Sequence, residues 1–167
     1  KLGEPCDKIG KGAGPHAIFY RTRWEVPNTE LGITKRWAPF SNGGNYSPFF
    51  RETPLVLEWN NSGALVKAYI GVKYPYLNGN TEWNIQLEDY FGRSGITYGK
   101  KTTNFSAQYL FSGEIFSFEG IGIFPSSDSD RNWIVSYLNS SFTNCFLNTT
   151  CGLHKKPPYL RKLPIPN

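Results

Sequence analysis

Two segments of this chain, FSAQYL at residues 105–110 and EIFSFEGIGIF at residues 114–124, place apolar side chains at alternating positions and are separated by a turn at Ser112-Gly113. Phe105, Ala107 and Tyr109 carry the pattern in the first; Ile115 and Phe116, Phe118, Ile121 and Ile123 carry it in the second. A period of two marks half-buried strands. The region therefore reads as an antiparallel hairpin, preceded by a loop that holds Lys100, Lys101, Thr102, Thr103 and Asn104. A rigid hairpin presenting a basic, hydroxyl-rich loop is the expectation against which the other residues are weighed.

A chain of 167 residues is long enough to bury a core without staples and reads as one domain. The 16% aromatic content, with 17 Gly and 12 Pro, favours strands joined by irregular loops over a helical bundle. A net charge of +5 admits a polyanionic partner. No run of 18 apolar residues is present and residues 1–14 are polar and glycine-rich, so neither a membrane span nor a signal peptide is expected, and the cytoplasm is the expected compartment. The absence of an initiating Met suggests a fragment of a longer protein. Three cysteines, Cys6, Cys145 and Cys151, without CxxC spacing, read as reduced thiols, with a Cys145–Cys151 bridge left open. The five N-x-S/T sites (Asn45, Asn60, Asn104, Asn139 and Asn148) are what an Asn- and Ser-rich chain produces by chance.

In chain order, Leu2 and Ile9 are apolar anchors before Gly10, Gly12 and Gly14. A phosphate-cradling loop needs a helix after its glycines; here AIFYRTRWEV follows and reads as a strand, so an entry turn fits better. Arg21 and Arg23 fall on one face of that strand, as a solvated surface or as phosphate contacts. Lys35-Arg36-Trp37 leads through Pro39 and Phe40 into a turn at Asn42-Gly43-Gly44. Residues 47–52 read as one helical turn with Arg51 exposed. Residues 55–59 and 64–69 flank Asn60-Asn61-Ser62-Gly63, which reads as a hairpin because Asn and Gly tolerate positive φ. Residues 71–81 form a Pro/Gly/Asn-rich loop suited to carrying specificity. The best helix begins at a cap on Asp128 or Ser129, and its stripe of Trp133, Ile134, Tyr137, Leu138, Phe142, Cys145 and Phe146 makes Cys145 a core residue.

Motifs for catalysis fall short. Lys156-Pro157-Pro158-Tyr159 imitates an amino-methyltransferase motif, but that motif needs a side-chain acceptor for the target amine at its first position, and lysine has none. The adjacent carboxylates Glu88 and Asp89 point to opposite faces of a strand and lack a patterned third ligand. Cys151 and His154 supply two of the four ligands that a zinc site needs, so no metal is expected. Nothing marks a nucleophile elbow.

The segments EDYF (residues 88–91), GITY (95–98), FSAQYL and IFSFEGIGIF, with Trp24-Glu25-Val26, Tyr137-Leu138-Asn139-Ser140 and the ending Leu163-Pro164-Ile165-Pro166, resemble a known family. It is the target-recognition domain of large single-chain adenine DNA methyltransferases of the type IIG restriction-modification and BREX phage-defence kinds, similar in plan to the specificity subunits of type I restriction systems. The resemblance also takes in Lys1, Leu2, Gly3, Cys6 and Gly10, and departs at Asn42, where the family often has Lys. It implies an α+β fold with a twisted, mostly antiparallel sheet and a few helices, spanning residues 1–167 as one non-catalytic DNA-recognition domain. Its expected partners are double-stranded DNA and the catalytic methyltransferase domain of the same parent chain, where S-adenosylmethionine would bind; this part itself would hold no cofactor. Together with the residue reading it marks Lys35, Arg36, Arg93, Lys100 and Lys101 for phosphates and Tyr98, Thr102, Thr103 and Asn104 for base edges. The rival readings are a carbohydrate-binding β-module, suggested by the aromatics and N-x-S/T sites, and a stand-alone nuclease.

Overall fold

The computed structural model describes residues 1–165. In chain order its elements are β1 (Cys6–Gly10), β2 (Tyr20–Thr22), β3 (Trp37–Ser41), β4 (Leu55–Glu58), α1 (Asn60–Lys73), β5 (Gly95–Gly99), β6 (Ala107–Leu110), β7 (Ile115–Phe116), β8 (Gly120–Pro125), α2 (Asp128–Leu138), α3 (Ser141–Cys151) and α4 (Pro157–Arg161). The α+β class and the mostly antiparallel pairing are as expected, but the strands divide between two four-stranded sheets, ordered β1-β8-β5-β6 and β2-β4-β3-β7. One pair alone in these sheets, β3 with β7, is parallel. Among the described residues no helix is long and apolar enough to cross a membrane.

The expected hairpin partners are corrected. β6 pairs with β5, Ile96 opposite Tyr109 and Tyr98 opposite Ala107. The second alternating segment is split: Ile115 and Phe116 join the β3 edge of one sheet, and residues 120–125 form β8 between β1 and β5 in the other. The split has a local cause. Ser117 Oγ accepts from the Glu119 and Gly120 amides at 3.1 and 2.8 Å, tightening a turn where a continuous strand would have run. Gly120 then passes so close to the chain before it that a Cβ would lie 2.7 Å from both the Gly43 nitrogen and the Ser41 carbonyl oxygen.

Each sheet carries its own apolar cluster. Ile9, Ile96, Tyr98, Ile121 and Ile123 point from the first sheet into Ile134, Val135, Leu138, Leu147 and Leu160 of α2, α3 and α4. Ala38, Phe40, Leu57 and Ile115 point from the second into Val66 and Ile70 of α1. Each wholly buried aliphatic side chain contributes roughly 1.5–3 kcal/mol by leaving water. Leu110, Phe116 and Phe124 form a third cluster with Leu87, Tyr90 and Phe91 packed against it.

Four further local expectations are corrected. Residues 64–69 are helical, because Val66 and Ile70 share one face four residues apart; Asn61, Ser62 and Gly63, with φ of 50°, 54° and 71°, make a left-handed turn into α1. AIFYRTRWEV holds only the three-residue strand β2, between one-turn helices at Ala17–Phe19 and Arg23–Glu25. Residues 47–52 are not helical: Phe49 is bridged to Gln108 at the outer edge of β6, and Arg51 is partly buried. The long C-terminal helix is two helices. Ser127 rather than Asp128 caps α2 by accepting from the Asp130 amide, and Ser140 caps α3 by accepting from the Thr143 amide. The break rotates the second half, leaving Cys145 exposed rather than in the core. Of the Leu163-Pro164-Ile165-Pro166 ending, Pro166 lies outside the described residues; Leu163 is buried.

Candidate nucleic-acid interface

The basic loop connects β5 to β6. Their pairing ends at Tyr98 opposite Ala107, so residues 99–106 turn the chain through a connection that needs outside support. That support comes from both sides. The Lys100 amide donates to the Glu119 carbonyl at 2.8 Å, while the Lys155 amide donates to the Lys100 carbonyl at 2.8 Å and the Thr102 amide to the Leu153 carbonyl at 3.1 Å. Lys101 and His154 form an antiparallel bridge. Behind the loop, the Phe105 ring is buried 5.2 Å from that of Tyr98, and its amide donates to Asn144 Oδ1. Sequence alone did not indicate that residues 153–155 brace this loop, because the contact joins segments some fifty residues apart.

On this braced frame Lys101, Thr103, Asn104, His154 and Lys156 are exposed. Lys100 is paired with Glu119, Nζ to Oε1 at 2.5 Å, which leaves Lys101 as the freer cation of the two. Thr102 spends its hydroxyl proton on the Asn104 carbonyl at 2.5 Å, stiffening the turn. Lys155 is wholly buried and donates from Nζ to Asn148 Oδ1 at 2.5 Å and to the Gly152 carbonyl, so it fastens the end of α3 and offers nothing to a ligand. The glycine turn after β3 lies alongside: a Cβ on Gly99 would come 3.4 Å from the Gly44 carbonyl oxygen. Beneath that turn Arg51 Nη2 donates to Ser41 Oγ at 3.4 Å, while burial pulls the guanidinium pKa below its ordinary value against the opposing pull of Glu114.

The remaining residues marked for DNA contact do not join this surface. Tyr98 is corrected outright: its side chain is wholly buried between β5 and the helices, its hydroxyl has no partner among the described residues, and burial pushes its pKa well up. It faces the core because alternate residues of β5 point toward α2. Arg93 precedes the opposite end of β5, about 20 Å of extended chain from Lys100, with its guanidinium 4.7 Å from the Tyr90 ring centre. Lys35 and Arg36 precede β3, whose far end carries the glycine turn. Arg36 lies 3.9 Å from both Glu30 and Glu58 carboxylates and 5.3 Å over the Trp37 ring. Gly92 lies against Ile33, which draws Arg93 and the Lys35-Arg36 segment toward one end of the molecule. The marked cations thus form two groups at opposite ends of the strands.

The weighed catalytic motifs find ordinary structural uses. Glu88 and Asp89 occupy a one-turn helix, with Glu88 Oε1 2.7 Å from Lys67 Nζ. Pro157 and Pro158 open α4, where a missing amide costs nothing. Gly12 allows a close crossing, since a Cβ there would lie 2.0 Å from the Phe116 carbonyl oxygen. Among the described residues no group of three or more His, Cys, Asp or Glu side chains is placed to hold a metal ion.

No family model matches the chain. It is 24% identical over 152 residues to the adenine-specific methyltransferase PglX of Lacticaseibacillus casei (strain Zhang), an alignment that covers 83% of this chain and 12% of that protein. The chain is therefore distantly homologous to one region of a large methyltransferase and spans about an eighth of its length.

Proposed function

We propose that this chain is the part of an adenine-specific DNA methyltransferase that recognises the target sequence, in a restriction-modification or BREX-type phage-defence system of the bacterial cytoplasm. The observation that carries the reading is the similarity to PglX, which runs through 83% of this chain yet occupies only 12% of that protein. Catalysis and S-adenosylmethionine then belong to another part of the parent protein, which positions the target base while this part holds the duplex.

The braced β5–β6 loop supplies the means. Lys101 neutralises a phosphate, Thr103 and Asn104 offer a hydroxyl and an amide to base edges, and His154 and Lys156 flank them. A loop tied to Glu119 on one side and Leu153 and Lys155 on the other loses little entropy on binding. Fluorescence anisotropy of the chain with duplex DNA across a salt series tests this. The logarithm of affinity should fall linearly with log salt, and reversing Lys100 and Lys101 to Glu should flatten that slope by at least about 0.9, the share of the one phosphate that Lys101 holds. An unchanged slope would place the phosphate contacts elsewhere, and no binding at low salt would remove the DNA reading.

A further inference from the structure

At the other end of β3 a cleft of about 400 Å³ opens between the segment before Trp37 and the left-handed turn into α1. Exposed Thr34, Lys35, Asn60, Asn61 and Ser62 line it together with Glu88. Trp59 and Phe91, in edge contact at 5.4 Å, close the back. The frame is fixed: the Trp59 amide donates to the Arg36 carbonyl at 2.8 Å, and Gly63 sits so tightly on the Trp59 ring that a Cβ would lie 2.6 Å from it. Lys67 holds one oxygen of Glu88 and leaves the other as an acceptor. Among the described residues, no protein partner engages the side chains of Thr34, Lys35, Asn60, Asn61 or Ser62.

Five polar side chains without partners therefore converge on one opening. Ser62 is held there in a left-handed conformation that costs a residue of its kind roughly 1–2 kcal/mol, beside an Asn61 whose side chain tolerates it, and conformational cost of this kind gathers where a ligand is bound. The chemistry is that of hydrogen bonding to a flat polar edge: carboxamides that donate and accept side by side, a carboxylate acceptor, and an ammonium. An asparagine amide matches the N6 and N7 positions of adenine, and a carboxylate oxygen matches the cytosine N4 amine. A sugar ring would need an exposed aromatic face to stack on, and Trp59 is only 5% exposed. Arg36 and Arg93 at the same end favour a polyanion further.

We propose that this cleft is a base-discriminating contact, with Asn60 and Asn61 reading the edge of a base pair in duplex DNA and Lys35 holding the adjoining phosphate. It rests on the DNA-binding reading above but assigns specificity to residues remote from the β5–β6 loop. The test is selection from a randomised duplex pool with the whole chain, as wild type and as Asn60→Ala and Asn61→Gly, followed by anisotropy on the preferred duplex and its single-base-pair variants. Gly adopts the φ of Asn61 without cost, so Asn61→Gly removes the amide and keeps the turn. Discrimination at one or two adjacent base pairs should fall at least about fivefold while the salt slope stays put. In the wild type, backbone amide resonances of residues 60–62 should shift with the preferred duplex and not with a scrambled one.

Variants that keep the full preference, or resonances that move equally with both duplexes, would overturn the assignment. Salt-dependent binding by the wild type with no preference would sink the cleft and spare the phosphate-holding loop. No binding at low salt would sink both, and resonance shifts produced by an oligosaccharide instead of DNA would reassign the cleft.

Discussion

Replacing Asn139 tests how the helices are fastened to the sheet. Its side chain reaches from the end of α2 to β6, where Oδ1 accepts from the Ala107 amide at 2.9 Å and Nδ2 donates to the carbonyls of Ala107 and Val135, each at 2.9 Å. In Asn139→Ala the two carbonyls keep other donors, the Phe49 amide for Ala107 and the Asn139 amide for Val135. The Ala107 amide keeps none, and Ala107 is wholly buried. A stranded buried donor costs about 1–3 kcal/mol and each of the two ordinary hydrogen bonds about 1 kcal/mol net, so the variant should lose about 3–5 kcal/mol, or roughly 6–20 °C in Tm for a chain of this size. Urea unfolding followed by tryptophan fluorescence measures it. Asn139→Asp supplies the control: one oxygen still accepts from the Ala107 amide, while the other faces two carbonyls that can only accept. That repulsion raises the folded pKa of the new carboxyl above its unfolded value. The deficit of Asn139→Asp against wild type should therefore be greatest above the folded pKa and shrink as pH falls through it, whereas the deficit of Asn139→Ala should not depend on pH. A loss under about 1 kcal/mol for Asn139→Ala, or parallel pH profiles for the two variants, would refute the fastening role.

Lys101→Ala should lower the salt slope of DNA binding by about 0.9, and Glu119→Gln should tighten binding at low salt by releasing Lys100; an unaltered affinity in Glu119→Gln would show that Lys100 makes no phosphate contact. Tyr98→Phe removes a buried hydroxyl that has no partner, so stability should hold or rise by up to about 1 kcal/mol with DNA affinity unchanged; a clear loss of either would mean that the hydroxyl is used. Toward a thiol reagent at pH 8, exposed Cys145 should react first and Cys6 last, because burial, with Asp130 and Asp7 nearby, pushes the Cys6 thiol up to about 12. Equal rates for the two would contradict that order.

Alternation made the strand segments and their buried faces legible: Phe105, Ala107, Ile121 and Ile123 point inward as the pattern required. It did not reveal which strands pair, since period two fixes a face and not a neighbour. The residues after Phe116 continue the apolar run, and the Ser117 hydroxyl bonds, the backbone pairing with Gly12 and Ala13 and the close passage of Gly120 against Ser41 and Gly43 divert them into another sheet. Asn60-Asn61-Ser62-Gly63 reads equally as a hairpin or a helix entry, since positive φ serves both; the four-residue spacing of Val66 and Ile70 is the signal that distinguishes them. In the candidate site the exposure of Lys101, Thr103 and Asn104 was legible from their setting in a polar loop. The pairing of Lys100 with Glu119 and the burial of Tyr98 were not, because both depend on which strand lies beside β5. Arg93 reads as one more phosphate-holding cation, and the extended strand β5 sets it at the far end from Lys101.

The short passage from β7 to β8 gives the molecule the properties of a caliper. Ser117, Phe118 and Glu119 are all the chain that lies between a strand of one sheet and a strand of the other, and they are tied down by the Ser117 hydroxyl and by the pairing of Gly12, Ala13 and Phe118 backbones. A joint so short and so fully bonded has no slack with which to open or swing. The loop at the end of β5 and the cleft before β3 are consequently held apart by at least the length of β3, about 17 Å. A duplex gripped at one jaw would be read at the other in a single register, and an inserted base pair would be met by a mismatch that the protein has no hinge to absorb.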